Sequence, residues 1–300
     1  MAEVISPTVA RRRVRLALRE AREAADLTQL QVAEEMEWSL SKVIRIENGD
    51  VSISPNDLRP LLSYLGIKDR AVINGLIADA KVARTRQHVM WWQRPEFRDM
   101  TDPLRRFIEF ESVAVTIRVY SILYIPGPLQ IPEYAAALTG SFDEIPEQRI
   151  DVLLQARQLR REALLTRLAS VRYSAVLDES VFMRSIGGAE VFAKQLRELH
   201  DLAERGLIHL RMLPFSLGVP IANNASFDLL TLSNTDEHNE VLYRENGMTD
   251  ELIEDRNATA KHLYRFNQLW HVANDENDTI EFLERRIKNL ESAVTHGGKT

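Results

Sequence analysis

The chain has 300 residues, 45% of them hydrophobic, with 38 Lys and Arg against 44 Asp and Glu for a net charge of −6. That composition supports a packed core and one large or two ordinary domains, and it excludes a disordered chain. The absence of cysteine excludes disulfides, thiolate nucleophiles and cysteine metal sites, and no apolar run is long enough to span a membrane.

The opening "MAEVISPTVARRR" has no apolar segment behind basic residues, so a secretory signal is not expected and a cytoplasmic location is. Residues 9–25 predict a helix, with Val14, Ala17, Leu18, Ala21 and Ala25 on one face. Arg12, Arg15, Arg19 and Arg22 run beside that face and read as a solvated stripe, with Arg22 set apart below. A second helix follows Thr28, a plausible N-cap, with Val32, Ala33 and Met36 inward. A third begins after Ser39, turns Val43 and Ile46 inward, and ends at Asn48-Gly49. A fourth covers about 57–65; Pro60 is acceptable in the first turn alone, so this helix is expected to start near Asn56-Asp57. Asp69 caps a fifth, running to about Ala83.

The character then changes. "RTRQHVMWWQRPEF" has no clean period and reads as a linker, giving domains over 1–83 and 99–300 with 84–98 between them. Beyond it, helices are expected at 103–112, 131–139, 146–167, 188–204, 250–272 and 278–292. Strands are expected at 114–124, 171–178, 207–213, 225–233 and 240–245. Strands and helices do not alternate regularly, so the fold class is an all-α N-terminal domain followed by an α+β domain with a mixed or antiparallel sheet.

Two short helices with a tight turn between them describe a helix-turn-helix. Its chemistry needs a polar side chain and amides facing phosphate, a small residue at the helix crossing, and small polar or basic residues on the outer face of the second helix. Gln29, Ala33 and the set Ser39, Ser41, Lys42 and Arg45 meet those needs. Residues 1–80 carry 11 basic and 12 acidic residues, net −1, so binding to double-stranded DNA has to rest on placement rather than on bulk charge.

"LTQLQVAEEMEWSLSKVIRIENG" resembles the phage-repressor (XRE/Cro) type of helix-turn-helix regulator, over about residues 10–66. The resemblance implies a salt bridge between Arg22 and Glu47 and a phosphate contact by Gln29. Two positions depart from the pattern. Glu37 stands where the turn often has glycine, which implies either left-handed strain or a different turn. Ile44 stands where serine is frequent; it either meets a thymine methyl or packs on the turn.

"SILYIPGPLQIPEYAAAL", "YSAVLDESVFMRSIGG", "LIHLRMLPFSLG" and "ASFDLLTLSN" resemble the C-terminal domain of WhiJ-like regulators of actinobacteria, from about Trp91 to Leu290. A histidine frequent near position 220 in that family is replaced here by Val219-Pro220. The family's genes commonly lie beside genes for small proteins, which implies a small partner protein as one alternative to a small-molecule effector.

No histidine lies in a metal-ligand spacing, and neither Gly-x-Ser-x-Gly nor a phosphate loop occurs. Asp178-Glu179 reads as a helix cap before it reads as an acid/base pair, and "RSIGG" as a plain loop before an anion site. Neither enzyme activity, cofactor nor metal is therefore expected. Ile280, Leu283, Ile287, Leu290 and Val294 form a two-heptad seam, for packing on its own domain or for a homodimer contact. The expected function is a sequence-specific transcriptional regulator whose second domain dimerises and binds a ligand or small protein. An antitoxin-like autoregulatory module is the alternative.

Overall fold

In the computed structural model the described residues are 6–85, 90–141, 147–217, 225–234, 239–245 and 249–297. The chain divides into two compact units, residues 1–88 and 89–300.

The first unit is helical: α1 Pro7–Ala24, α2 Gln29–Glu35, α3 Leu40–Asn48, α4 Pro55–Tyr64 and α5 Arg70–Ala83. Each start has a side-chain cap, from Ser6, Thr28, Ser39, Ser54 and Asp69, which satisfies a leading amide that the helix itself cannot. One core holds them together. Val14 and Leu18 of α1 meet Val32 and Ala33 of α2, Val43 and Ile46 of α3, and Leu58, Leu61 and Leu62 of α4. Gly49 closes α3 in the left-handed region at φ 82°, where a side chain would be strained.

Two expectations for this unit are corrected. α4 begins at Pro55, so Pro60 lies inside the helix, past its first turn. The ring is tolerated because both Pro60 and Asn56, whose carbonyl loses its i+4 amide, are exposed and the carbonyl can turn to water. The arginine stripe of α1 is not a solvated face: Arg12 is 5% and Arg15 7% exposed, while Arg19 stays outside and pairs with Glu23 at 2.9 Å.

The second unit is built on a six-stranded mixed sheet of β1 Thr116–Ser121, β2 Arg172–Asp178, β3 His209–Leu213, β4 Phe227–Thr231, β5 Glu240–Glu245 and β6 Asp250–Ile253, in the order β3-β2-β1-β4-β5-β6. β1, β2 and β3 are parallel; β4, β5 and β6 add antiparallel. The helices are α6 Asp102–Glu111, α7 Pro132–Thr139, α8 Glu147–Leu165, α9 Glu179–Met183, α10 Gly188–Glu204, α11 Arg256–Val272 and α12 Glu276–Gly297. On one sheet face Tyr120, Val176, Phe227, Leu229 and Leu242 pack on Phe266 and Leu269 of α11. The opposite face carries Asp228 and Tyr243, which meet groups from α6 and α8.

Two further differences from expectation, and the outcome for the α12 seam, belong here. The stretch read as a linker is structured from residue 90 on. Trp91–Gln93 and Pro95–Phe97 form 3-10 turns that bury Trp92 and Phe97, because aromatic rings without a helical period still need cover. Residues 250–253, read as the start of a long helix, form edge strand β6. Asp255 then caps α11 by accepting from the Ala258 amide at 2.8 Å. A four-residue strand is too short to show its own period. Finally, the α12 seam is used within its own unit. Leu283, Ile287 and Leu290 are buried, α12 packs on α10, and of the seam Val294 alone is exposed, at 42%. Val219-Pro220 lies outside the described residues.

Candidate nucleic-acid interface

The site is the α2–turn–α3 pair. α2 opens with a reciprocal cap in which the Gln31 amide donates to Thr28 Oγ1 at 3.2 Å and the Thr28 amide donates to Gln31 Oε1 at 2.8 Å. The turn is closed by the Trp38 amide donating to the Ala33 carbonyl at 2.8 Å, and Ala33 is 2% exposed, small enough for the helices to cross. Glu37 takes φ 53°, so the turn keeps its left-handed shape without glycine, at a cost of roughly 1–2 kcal/mol. Asp26, before α2, does the same at φ 54°.

Behind the turn lies a buried ion pair. Arg22 Nε donates to Glu47 Oε1 at 2.7 Å and Arg22 Nη2 to Oε2 at 3.1 Å, a bidentate fork. Arg22 Nη1 also donates to the Leu27 carbonyl at 2.9 Å, so a single guanidinium ties α1, the start of α2 and α3 together. The bond to Glu47 holds the Arg22 guanidinium above its ordinary value. Gln29 joins this group: its Nε2 donates to Glu47 Oε2 at 2.8 Å. One amide hydrogen of Gln29 is thus turned inward and fixes the side chain.

The α3 residues divide by angle around the helix. With about 100° per residue, Val43, Ile46 and Glu47 form the inner face and Ser41 and Arg45 the outer one. Ser41 and Arg45 are exposed, and Ile44 is half-buried beside them. The Arg45 side chain makes no hydrogen bond or ion pair with the described residues, so its guanidinium is available. Ser39 is the cap, its Oγ accepting from the Lys42 amide at 3.2 Å. Lys42 lies at the flank rather than on the outer face. Its Nζ sits 3.7 Å above the Trp38 ring and 3.3 Å from Asp57 Oδ2, which neutralises it. Grouping Lys42 with Ser41 and Arg45 from the sequence overlooked this, because Asp57 comes from a different helix.

Two apolar residues missed from the sequence stand at the leading turns: Leu30 of α2, 52% exposed, and Leu40 of α3, 40% exposed. A signal was present, since each lies in the first turn of its helix, away from the inward set.

In the second unit, Asp178 caps α9, accepting from the Ser180 amide at 3.0 Å, and Glu179 accepts from the Phe215 amide at 2.7 Å. Gly187 of "RSIGG" is the N-cap of α10 at φ 78°, where an added Cβ would come within 2.8 Å of Val191. Among the described residues one group brings metal-ligand atoms together, His200, Asp201 and Glu204 on α10, with both acids exposed. No described helix is long and apolar enough to cross a membrane.

A capped helix pair over a shared core, with a polar outer face on the second helix, defines a helix-turn-helix DNA-binding protein. Residues 14–74 match the helix-turn-helix domain family. Residues 104–285 match the domain of unknown function DUF5753, and the chain belongs to that family. No curated protein and no solved structure matches it.

Proposed function

We propose that the chain is a repressor-type, XRE/Cro-like regulator whose first unit reads DNA through α3 and whose WhiJ-like second unit dimerises and binds an effector or small partner. The observation that carries the DNA-reading part is the unpaired, exposed Arg45 one turn from Ser41 on the outer face of a rigidly capped α3. Arg45 suits guanine O6/N7, Ser41 suits any base edge, and Leu40 or Ile44 suits a thymine methyl. Gln29, oriented by Glu47, offers its second Nε2 hydrogen to phosphate beside the leading amides of α2. Lys42, tied to Asp57, contributes less than its charge suggests. The second unit is read as a binding rather than a catalytic domain, since Asp178 and Glu179 serve as a cap and a loop anchor.

One observation favours the antitoxin-like alternative. Leu123, Met183 and Phe215 are 43%, 47% and 62% exposed, and all three follow the carboxyl ends of adjacent parallel strands. Bonds from Ser180 Oγ to the Ile122 carbonyl and from the Phe215 amide to Glu179 hold these segments together. Such an apolar surface suits a small protein. Footprinting on the DNA upstream of the chain's own gene tests the main reading. A protected inverted repeat is expected, and no preference over random DNA would overturn it. Loss of a co-purifying small protein on Phe215→Ser, with DNA binding intact, would favour the alternative.

A further inference from the structure

The exposed side chains of Leu123, Met183 and Phe215 follow the carboxyl ends of three neighbouring parallel strands, β1, β2 and β3. α9, a single short turn of helix, ties them together. Ser180 Oγ donates to the Ile122 carbonyl at 2.8 Å, beside Leu123, and Glu179 Oε2 accepts from the Phe215 amide at 2.7 Å. Met183 closes the same helix, one turn from both of these contacts. From α12, Arg286 donates to the carbonyls of Phe182 and Met183 at 3.1 and 3.3 Å and to Ser185 Oγ at 3.3 Å. Strand ends and two helices therefore hold the three apolar side chains in one fixed surface.

The charges about that surface fall into two groups. Asp178 and Glu179 stand at the start of α9; each accepts a backbone amide, and neither pairs with a cation among the described residues. Arg184 follows the end of α9, and Arg286 is bonded there to carbonyls and a hydroxyl. Neither guanidinium pairs with a carboxylate among the described residues. Two carboxylates and two guanidiniums are thus left uncompensated at opposite ends of one helical turn, with the apolar side chains beside it. A two-fold rotation through such a surface lays apolar on apolar. It also sets the carboxylate end of one copy against the guanidinium end of the other. An anionic membrane would select cations alone, and the chain carries a net charge of −6.

We propose that a second copy of the chain docks on this surface as an isologous two-fold dimer, with Met183 and Phe215 at its centre and the charged ends of α9 paired across it. The proposal rests on the reading of the second unit as the dimerising one and gives that dimer a surface, since the α12 seam is occupied within its own unit. A standard interface covers about 800 Å² per partner, more than three side chains offer, so the charged rim is part of the contact. The segments are tied in place before docking, which keeps the ordering cost of association low.

The test is sedimentation equilibrium of the full chain without DNA. The parent is expected to dimerise. The double variant Met183→Ser/Phe215→Ser should raise the dimer dissociation constant at least about a hundredfold, because the rotation removes each apolar contact twice. Arg184→Glu should raise it roughly tenfold. Tyr264→Ser, which trims a comparably exposed side chain on α11, should leave it unchanged. Helical circular dichroism checks that each variant is folded, and if the serine pair does not fold, Arg184→Glu decides. A dimer indifferent to both the serine pair and Arg184→Glu would overturn the surface and leave dimerisation standing. A monomeric parent chain would overturn both, and would return the surface to a small partner protein.

Discussion

Among individual residues, Arg22 and Glu47 carry the most structural weight in the first unit. Their side chains are 12% and 7% exposed, and Glu47 also accepts from Gln29. Glu47→Ala leaves a buried guanidinium and an oriented amide without an acceptor, and is expected to cost roughly 3–5 kcal/mol in chemical denaturation. A double-mutant cycle with Arg22→Ala should show strong coupling; additivity within about 0.5 kcal/mol would mean the pair contributes no specific stability. Lys42 leads to a contrary expectation. Because Asp57 holds it, Asp57→Asn should release a positive charge and strengthen binding to any DNA, specific or random, as measured by fluorescence anisotropy. Unchanged affinity on both would show that Lys42 stands away from the DNA.

At the scale of elements, the strain in the turn is testable. Glu37 sits at φ 53°, a conformation open to glycine at little cost. Glu37→Gly should stabilise the first unit by about 0.5–1 kcal/mol without moving α3, observable as a higher denaturation midpoint. The seam of α12 leads the other way. Since Leu283, Ile287 and Leu290 are buried and α12 packs on α10, truncation after Asn277 should unfold the second unit, seen as lost helical circular dichroism and earlier melting. A truncated chain that stays folded would show that the seam is dispensable to its own unit. These cases also show what was legible in advance. Caps and long amphipathic stretches carry their signal locally, so α1 to α5 and the strands β1 to β5 could be read from caps and period, while period alone leaves the sheet mixed or antiparallel. What escaped depends on residues distant in sequence. Asp57 takes Lys42 out of the reading face, β5 recruits residues 250–253 as an edge strand, and α10 covers a seam whose period alone left packing and a dimer contact both open.

At the scale of the whole molecule, a net charge of −1 over residues 1–80 gives one helix-turn-helix unit little general attraction to phosphate. Two units joined in one assembly would multiply their affinities through effective concentration, which is why a two-fold dimer on an inverted repeat, with half-sites about 10 bp or a small multiple apart, belongs to the proposal. Sedimentation of the full chain, free and with DNA, measures it; a monomer in both states would contradict the dimer. The central claim is narrower: the outer face of α3 reads bases. The most direct measurement is the affinity of Arg45→Ala for the footprinted site and for random DNA at one salt concentration. The expected result is a loss of roughly 1–3 kcal/mol on the site, relaxed preference at one base pair, and little change on random DNA. An equal loss on both would show that Arg45 touches phosphate alone, and would contradict the claim.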